Sequence, residues 1–343
     1  MKLVLSQEQQ ELRAAVRAFL AAASPLPKAR EGYDPAVYAR LNGELGLAGL
    51  IVGEEYGGAG AGFADLAVAL EETGAALLPG PFLATTFAAI ALAGTPDKEL
   101  LTGIAEGRIA AALVLPGTAI PLRDGELTGT LPQVLSGMDA DVLLVPATTD
   151  GGAVLTAVTL DGPGVTRTPL ETLDLTRGQA RVELTAAAAR VLGPLPDAAG
   201  VADRLAIALA AEQLGVMRAA LDAIVAYAKA RVAFGRYIGS YQGVKHKLAD
   251  MHGKLEQAES IVRYAAWAAD ESPGELPEAA ALAQAYVGRA CFEVARDHLL
   301  LHGGIGYTWE HDAHLYYKRA KTDEVLLGPP REHRARLARL LEL

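Results

Sequence analysis

The sequence has one cysteine, Cys291, and few aromatic residues, which make up 6% of its 343 positions. A single cysteine excludes a disulfide framework, and the scarcity of aromatic side chains predicts a core of alanine, leucine and valine. An excess of positive charge is also missing, because 31 lysines and arginines stand against 41 aspartates and glutamates, for a net charge of −10. This acidic balance argues against nucleic acid as a partner.

A targeting segment is not visible either, since the start MKLVLSQEQQ turns polar after a few residues. One uncharged stretch, AALLPGPFLATTFAAIALAG (residues 75–94), reaches membrane-spanning length. Because Pro79, Gly80 and Pro81 interrupt it, we expect a turn followed by a buried helix rather than a membrane span. The sequence thus predicts a cytoplasmic protein that does not insert into a membrane.

The pattern of residues changes twice along the chain. Residues 1–108 have helical spacing, residues 109–195 are short Thr/Val-rich runs separated by the turn signals RDGE, TDGG and DGPG, and residues 196–343 return to long helices. We therefore predict an α+β multidomain protein. It has an N-terminal helical domain, a central β-barrel or sandwich domain, and a C-terminal four-helix bundle, divided at these boundaries.

Individual helices can be placed from their end signals. Ser6 with Gln9 has the spacing of a capping box at the first helix. Further helices are expected over residues 63–78, 201–231, 240–270 and 277–302, and a final one from about residue 310.

Three patterns are weighed and set aside. The loop GGAGAG (57–62) imitates a dinucleotide-binding fingerprint, but a second helix follows it instead of a βαβ unit. The histidines occur in pairs without carboxylate or thiolate support, so we expect no metal site. Cys291 lies on an apolar helix face, where a buried small hydrophobe is expected rather than a nucleophile. The histidine pairs are His246 with His252, His298 with His302, and His311 with His314.

The segment RVAFGRYIGSYQGVKHKLADM (231–251) joins two predicted helices. An arginine beside the free N–H groups of a helix start suits a diphosphate. The alternative, which spacing alone favours, is an inter-helix loop whose arginine is merely solvated.

The segment LHGGIGYTWEHDAHLYYKRAK (301–321) contains Gly303, Gly304 and Gly306. Glycines allow a backbone to approach a flat or bulky ligand closely, so a Cβ at Gly304 is expected to clash with the ligand or force an unfavourable φ. The alternative is a helix C-cap and turn.

Together and in this order, these segments resemble the acyl-CoA dehydrogenase family. The stretches LSQEQQELRAAVRAFL and GLAGLIVGEEYGGAGAG match further landmarks, so the resemblance covers nearly the whole chain. It implies an FAD-dependent α,β-dehydrogenation of an acyl-CoA thioester, in which a glutamate removes the α proton and a hydride leaves Cβ for flavin N5. It also implies an electron-transfer flavoprotein as electron acceptor.

In this family each FAD usually crosses a dimer interface, and its ADP half reaches the neighbouring subunit. The resemblance therefore implies eight cofactor-binding residues in this chain: Arg231, Phe234, Tyr241, Gln242, His302, Gly303, Gly304 and Gly306.

The departures from the family pattern concern the catalytic side. The stretch TEPxAGSD, which contacts flavin and substrate, is replaced by ALVLPGTAIPLRDGE (112–126), and a tryptophan-containing run by LPQVLSGMDADVLLV (131–145). The usual glutamate base falls on Leu327, and the alternative base position falls near Leu205. The catalytic base is thus unknown, with Glu324 and Glu212 as weak candidates.

The missing motifs are those that contact the flavin ring and substrate in the family, whereas the segments around Arg231 and Gly303 that remain are those that contact a neighbouring subunit's cofactor. The chain resembles the shorter subunit of the α2β2 acyl-CoA dehydrogenases of actinobacterial steroid side-chain degradation, a branch of lipid metabolism. The expected partner is then a homologous full-length subunit. Two alternatives stay open: a diverged homo-oligomer with a relocated base, and a flavin-free structural homologue.

Overall fold

The computed structural model describes residues 3–95, 97–115, 117–195 and 197–343. Within these ranges the chain forms eleven α-helices and ten β-strands. The helices are α1 (Gln7–Ala23), α2 (Leu26–Ala29), α3 (Pro35–Leu45), α4 (Phe63–Ala75), α5 (Phe82–Leu92), α6 (Lys98–Ala105), α7 (Ala198–Ala230), α8 (Gln242–Glu271), α9 (Leu276–Leu301), α10 (Ala313–Leu326) and α11 (Pro330–Leu340). The strands are β1 (Ala111–Leu113), β2 (Ile120–Arg123), β3 (Glu126–Leu135), β4 (Val142–Thr149), β5 (Gly152–Thr159), β6 (Val165–Pro169), β7 (Gln179–Ala188), β8 (Arg190–Pro194), β9 (Val232–Ala233) and β10 (Arg236–Tyr237).

The helix–sheet–helix order is the predicted one, and the fold is that of an α+β protein with helical segments on both sides of the sheet in sequence. The capping box at α1 is confirmed: the Ser6 hydroxyl accepts from the Gln9 N–H, and the Gln9 side chain accepts from the Ser6 N–H. The uncharged stretch also behaves as expected, because every residue of α5 is buried. Among the described residues, no helix is long and apolar enough to cross a membrane.

The chain packs into two compact units. A helical unit contains the chain up to Lys28, Phe63–Leu78 and Ala206–Leu343, and a sheet unit contains Ala29–Gly62 and Pro79–Leu205. The N-terminal helices are therefore shared between the two units. The three-domain division at residues 108 and 196 stays a prediction.

In the helical unit, α4 and α7 approach closely at a glycine. A Cβ added at Gly215 would lie 1.8 Å from the carbonyl oxygen of Glu71, a distance that real side chains essentially never reach. Helices usually pack 8–10 Å apart, and a glycine at the crossing permits the shorter separations. Glycine at this position therefore determines how tightly the two helices pack.

The sheet unit is built on one eight-stranded sheet with the strand order β6-β7-β3-β2-β4-β5-β8, in which β1 pairs with β4 off this path. Most neighbouring strands are antiparallel, and the predicted turns RDGE and TDGG join β2 to β3 and β4 to β5 as hairpins. The β1·β4 and β2·β4 pairs are parallel, which the sequence did not suggest. Alternating burial along β3 and β7 supplies a core of leucine, valine and alanine.

Two helix predictions need correction. The helix expected over 63–78 ends at Ala75, because Leu77 takes a left-handed conformation (φ 49°). The final helix is not continuous: α10 ends at Leu326, and α11 starts at Pro330. Pro329 and Pro330 cannot continue the backbone ladder of α10, so the chain breaks there and restarts with proline in the first turn. The short helix α6 was not singled out.

Candidate functional site

The segment that follows α7 is a small hairpin, not a loose loop. The Arg231 N–H still donates to the carbonyl of Tyr227 (2.8 Å), after which β9 and β10 pair antiparallel. The two residues of the turn, Phe234 and Gly235, both have positive φ (50° and 77°). This is the turn geometry that matches strand twist, and it holds Phe234 at the tip with 98% of its surface exposed.

Tyr241 ties this hairpin to the start of α8. Its hydroxyl donates to the carbonyl oxygen of Ala233 (2.9 Å), and the Arg236 guanidinium lies 3.8 Å above its ring. Tyr241 is also the N-cap of α8, and within the described chain no side chain caps that helix start. The N–H groups of the first turn, from Gln242 onwards, are therefore left as donors close to Arg231 in sequence.

The predicted glycine segment lies at the end of α9, and its three glycines differ. Gly303 has φ +68° and ends the helix in a left-handed conformation, as the C-cap alternative supposed. Gly304 is exposed, and a Cβ there would lie within 4 Å of no atom of the described chain outside its own turn. Its φ is not in the left-handed region. Gly306 is buried, and a Cβ there would lie 2.7 Å from the carbonyl oxygen of Leu299. A clash between a Cβ at Gly304 and a ligand stays a prediction, whereas the expected unfavourable φ is absent at this glycine. That constraint lies at Gly303.

His302 is buried and makes its contacts within the protein. Its Nδ1 lies 2.8 Å from the carbonyl oxygen of His298, and its ring centroid is 4.4 Å from those of Tyr227 and His311. Burial lowers the pKa of His302, and neighbouring His311 lowers it further, whereas the bond to His298 raises it. The neutral ring therefore belongs to an aromatic cluster between α7 and α9, not to an open surface.

Both positions expected for a catalytic glutamate are apolar. Leu327 is the C-cap of α10, and Leu205 is fully buried in α7. A carboxylate that abstracts a proton must lie within about 3 Å of it, and neither leucine carries one.

The two weak candidates for the base are buried and ion-paired. Glu324 accepts from Lys321 (2.7 Å) and lies 3.5 Å from Arg289. Glu212 lies 3.3 Å from the guanidinium of Arg319, which is itself fully buried. Both carboxylates therefore already have a cationic partner within this chain.

The segment that replaces TEPxAGSD lines an apolar cavity. The cavity has a volume of about 250 Å³, and Leu113, Val114, Thr118 and Ala119 form one side of it. Of these four residues Thr118 carries a hydroxyl, and the other three are apolar.

One buried group was missed from the sequence: an ion-pair network centred on Glu71 of α4. Its carboxylate is shared by Arg13, Arg218 and Arg263, which come from three other helices. Burial opposes ionisation, yet Arg218 and Arg263 hold the pKa of the adjoining Glu259 below its ordinary value. The available signal was the pair Glu71-Glu72 inside an apolar helix.

The remaining histidines do not assemble a metal site. Across the described residues, no group of three or more histidine, cysteine, aspartate or glutamate side chains is arranged to hold a metal. Cys291 is buried, and burial, followed by nearby Asp323 and Glu212, raises the pKa of its thiol well above the ordinary value. This agrees with its expected role as a buried hydrophobe.

Comparison with known proteins fits this arrangement. Residues 6–108 match the acyl-CoA dehydrogenase N-terminal domain, and residues 198–341 match the acyl-CoA dehydrogenase C-terminal domain. The acyl-CoA dehydrogenase IpdE2 of Mycolicibacterium smegmatis is 38% identical over 97% of this chain and 98% of its own length. Among solved structures, the ChsE4-ChsE5 complex from Mycobacterium tuberculosis has a TM-score of 0.91 at 28% identity, covering 100% of this chain and 99% of that one. A variant of the Tcur3481-Tcur3483 steroid ACAD has a TM-score of 0.88 at 31% identity, covering 98% of both chains. The chain therefore belongs to the acyl-CoA dehydrogenase family of oxidoreductases.

Proposed function

We infer that this chain is the non-catalytic, cofactor-sharing subunit of a heteromeric FAD-dependent acyl-CoA dehydrogenase. The observation that carries the proposal is the apolar character of both base positions, Leu327 and Leu205, in a chain that keeps the segments for a neighbour's cofactor. The two carboxylates considered as replacements, Glu212 and Glu324, are each held in an ion pair.

The residues present fit the ADP half of FAD. Arg231 is exposed, and its carbonyl accepts from the N–H of Ile238, four residues before the uncapped start of α8. A guanidinium and free backbone N–H groups of this kind suit one diphosphate. The open backbone at Gly303 and Gly304 leaves room for an adenosine. When bound, FAD accepts the hydride that leaves the acyl Cβ. This chain's part is to hold its diphosphate and adenosine while the partner orients the ring.

The exposed apolar side chains of the hairpin support a partner at the same place. Val232, Phe234 and Tyr237 are each more than half exposed, although they lie on a short, internally tied hairpin. Apolar groups held outwards in this way are typical of a surface that another chain covers. In the proposed assembly that chain is a full-length homologue which carries the TEPxAGSD stretch and a catalytic glutamate.

The relatives point to the substrate class and the assembly. One solved relative is a ChsE4-ChsE5 complex and another a steroid ACAD with two named components, so heteromers and steroid-derived substrates occur among similar proteins. We extend both features to this chain: an α2β2 assembly in the cytoplasm acts on a bulky acyl-CoA and passes electrons to an electron-transfer flavoprotein.

Flavin content tests the proposal. The chain is purified alone and after co-expression with a full-length homologue that carries the TEPxAGSD stretch and a catalytic glutamate, and absorbance near 450 nm is measured against protein concentration. We expect a colourless or faintly yellow chain alone and one FAD per pair of unlike chains in the complex. Stoichiometric FAD with acyl-CoA oxidation by the chain alone would support the diverged homo-oligomer instead. A complex without flavin would support a scaffold.

A matched pair of variants tests where the base resides. Leu327→Glu restores a carboxylate at the family position, yet we expect no activity from this chain, because its flavin-facing edge is apolar. Replacing the partner's catalytic glutamate by glutamine should abolish turnover while one FAD per heterodimer is retained. Turnover by the Leu327→Glu chain alone would contradict the assignment.

A further inference from the structure

The two predicted cofactor segments are connected through one buried side chain. His302 immediately precedes Gly303, and its ring centroid lies 4.4 Å from that of Tyr227 and 4.4 Å from that of His311, both in tilted contacts. Tyr227 is in the last turn of α7, whereas His311 lies between the glycines and α10. A single ring thus contacts both the end of α7 and the far side of the glycine segment.

The orientation of this ring is fixed by a hydrogen bond. A carbonyl oxygen can only accept, so Nδ1 of His302 carries the proton and donates it to His298. The ring of His298 packs edge-on against His302, with centroids 4.7 Å apart. Tilted and edge-on aromatic contacts of this kind stabilise the packed ring beyond the area they bury. The ring therefore has one strongly favoured position.

Backbone hydrogen bonds connect Tyr227 to the segment that contains Arg231. The carbonyl of Tyr227 accepts from the Arg231 N–H (2.8 Å), and the Arg231 carbonyl accepts from the Ile238 N–H (2.8 Å). The hairpin of residues 231–241, called here the Arg231 hairpin, thus continues rigidly from the turn that Tyr227 anchors. The glycine segment, residues 303–306, begins at the residue after His302.

We propose that His302 is a positioning residue that sets the separation between the Arg231 hairpin and the glycine segment, so that both contact one cofactor at once. The inference rests on the proposed function, because the shared ligand is the diphosphate and adenosine of FAD. His302 then acts through the two segments and does not itself contact the cofactor. Holding two weak contacts at a fixed spacing raises affinity, because the second contact forms without a further loss of freedom.

Hydrogen–deuterium exchange on the full chain without flavin tests the connection itself. In His302→Leu we expect at least fivefold faster exchange in both peptides, 231–241 and 303–311, because both segments lose their common anchor. His302→Phe keeps the stacked ring and should restore slow exchange in the hairpin. His252→Ala, on the exposed face of α8, is the matched control and should change neither peptide. Unchanged exchange in the hairpin of His302→Leu would overturn the proposal.

FAD affinity in the co-purified complex tests the consequence. His302→Leu and Tyr227→Leu should each weaken FAD binding at least tenfold. The double variant should be no worse than either single one, because the two rings act as one unit. Leu255→Ala, a cavity variant in the core of α8, should lower the unfolding midpoint without changing FAD affinity. Additive losses, or a loss in Leu255→Ala equal to that in His302→Leu, would show a merely structural role. If the wild-type complex binds no FAD, the proposed function fails, while the exchange result still decides whether the connection exists.

Discussion

Replacing His298 by phenylalanine should remove part of the acid sensitivity of folding. His298 is 1% exposed, and neither ring nitrogen has a hydrogen-bond partner among the described residues. Its neighbours are the rings of His302 and Tyr316, both edge-on. Burial, with smaller contributions from His302 and His311, lowers the pKa of His298 to about 3. A phenylalanine of similar shape would therefore lose no hydrogen bond.

The direction in which folding stability changes with pH follows from proton binding to His298. Below about pH 6.5 the unfolded chain takes up a proton at His298, whereas the folded chain does not until about pH 3. The stability contributed by the neutral ring is thus fully present above pH 6.5 and falls as the pH drops, by about 1.4 kcal/mol per pH unit. At pH 5.0 the loss amounts to roughly 2 kcal/mol.

The assay is urea unfolding of wild type and His298→Phe between pH 5 and pH 8. The difference in free energy of unfolding should shift in favour of the variant by about 2 kcal/mol between pH 8 and pH 5. The exposed His246→Phe serves as the control and should follow the wild-type curve in parallel. Parallel curves for His298→Phe as well would refute the reasoning, because the buried ring would then titrate as it does in the unfolded chain.

Further predictions concern the glycines and the arginine of the site. Arg231→Ala should weaken FAD binding by the complex at least tenfold, and Arg231→Lys should restore only part of it, since a point charge cannot replace a bidentate fork; flavin titration measures both, and unchanged retention in the alanine variant would refute the assignment. Gly304→Val should weaken flavin binding and leave the far-UV circular dichroism intact, because a Cβ there meets open space within the chain; global unfolding would contradict this. Gly215→Ala should destabilise the helical unit by several kcal/mol, since its Cβ would overlap the Glu71 carbonyl, whereas Gly243→Ala, with open space around it, should be neutral in thermal unfolding.

Local chemistry in the sequence predicts local structure well. Ser6 with Gln9 predicts the start of α1, and the paired turn residues predict the β2–β3 and β4–β5 hairpins, because each signal acts within four residues. Gly-Pro-Pro (328–330) also indicates the break after Leu326, although the helical periodicity continues across it. The motifs around Arg231 and Gly303 identify segments, yet they do not distinguish the glycine that needs a positive φ from its exposed neighbour.

Contacts between distant residues could not be predicted. Arg319 and Glu212 are 107 positions apart, and Glu71 meets Arg263 across 192 positions, so no spacing rule relates them. The surroundings of His302 could not be predicted for the same reason: the sequence shows a histidine beside glycines, whereas the ring of Tyr227, which it packs against, comes from another helix. Burial and pairing of charges depend on tertiary packing, which the local patterns of a single sequence do not encode.

The carboxylate of Glu71 has a consequence for the order of events during synthesis. It is fully buried, and its arginine partners lie at positions 13, 218 and 263. A ribosome adds about 5–20 residues per second, so roughly ten seconds or more separate the appearance of Glu71 from that of Arg263. Until then α4 cannot bury this charge without leaving it underpaired, at a cost of several kcal/mol. The face of α4 that carries Glu71 must therefore stay solvated until Arg263 has been synthesised. The nascent protein completes its helical unit only near the end of translation.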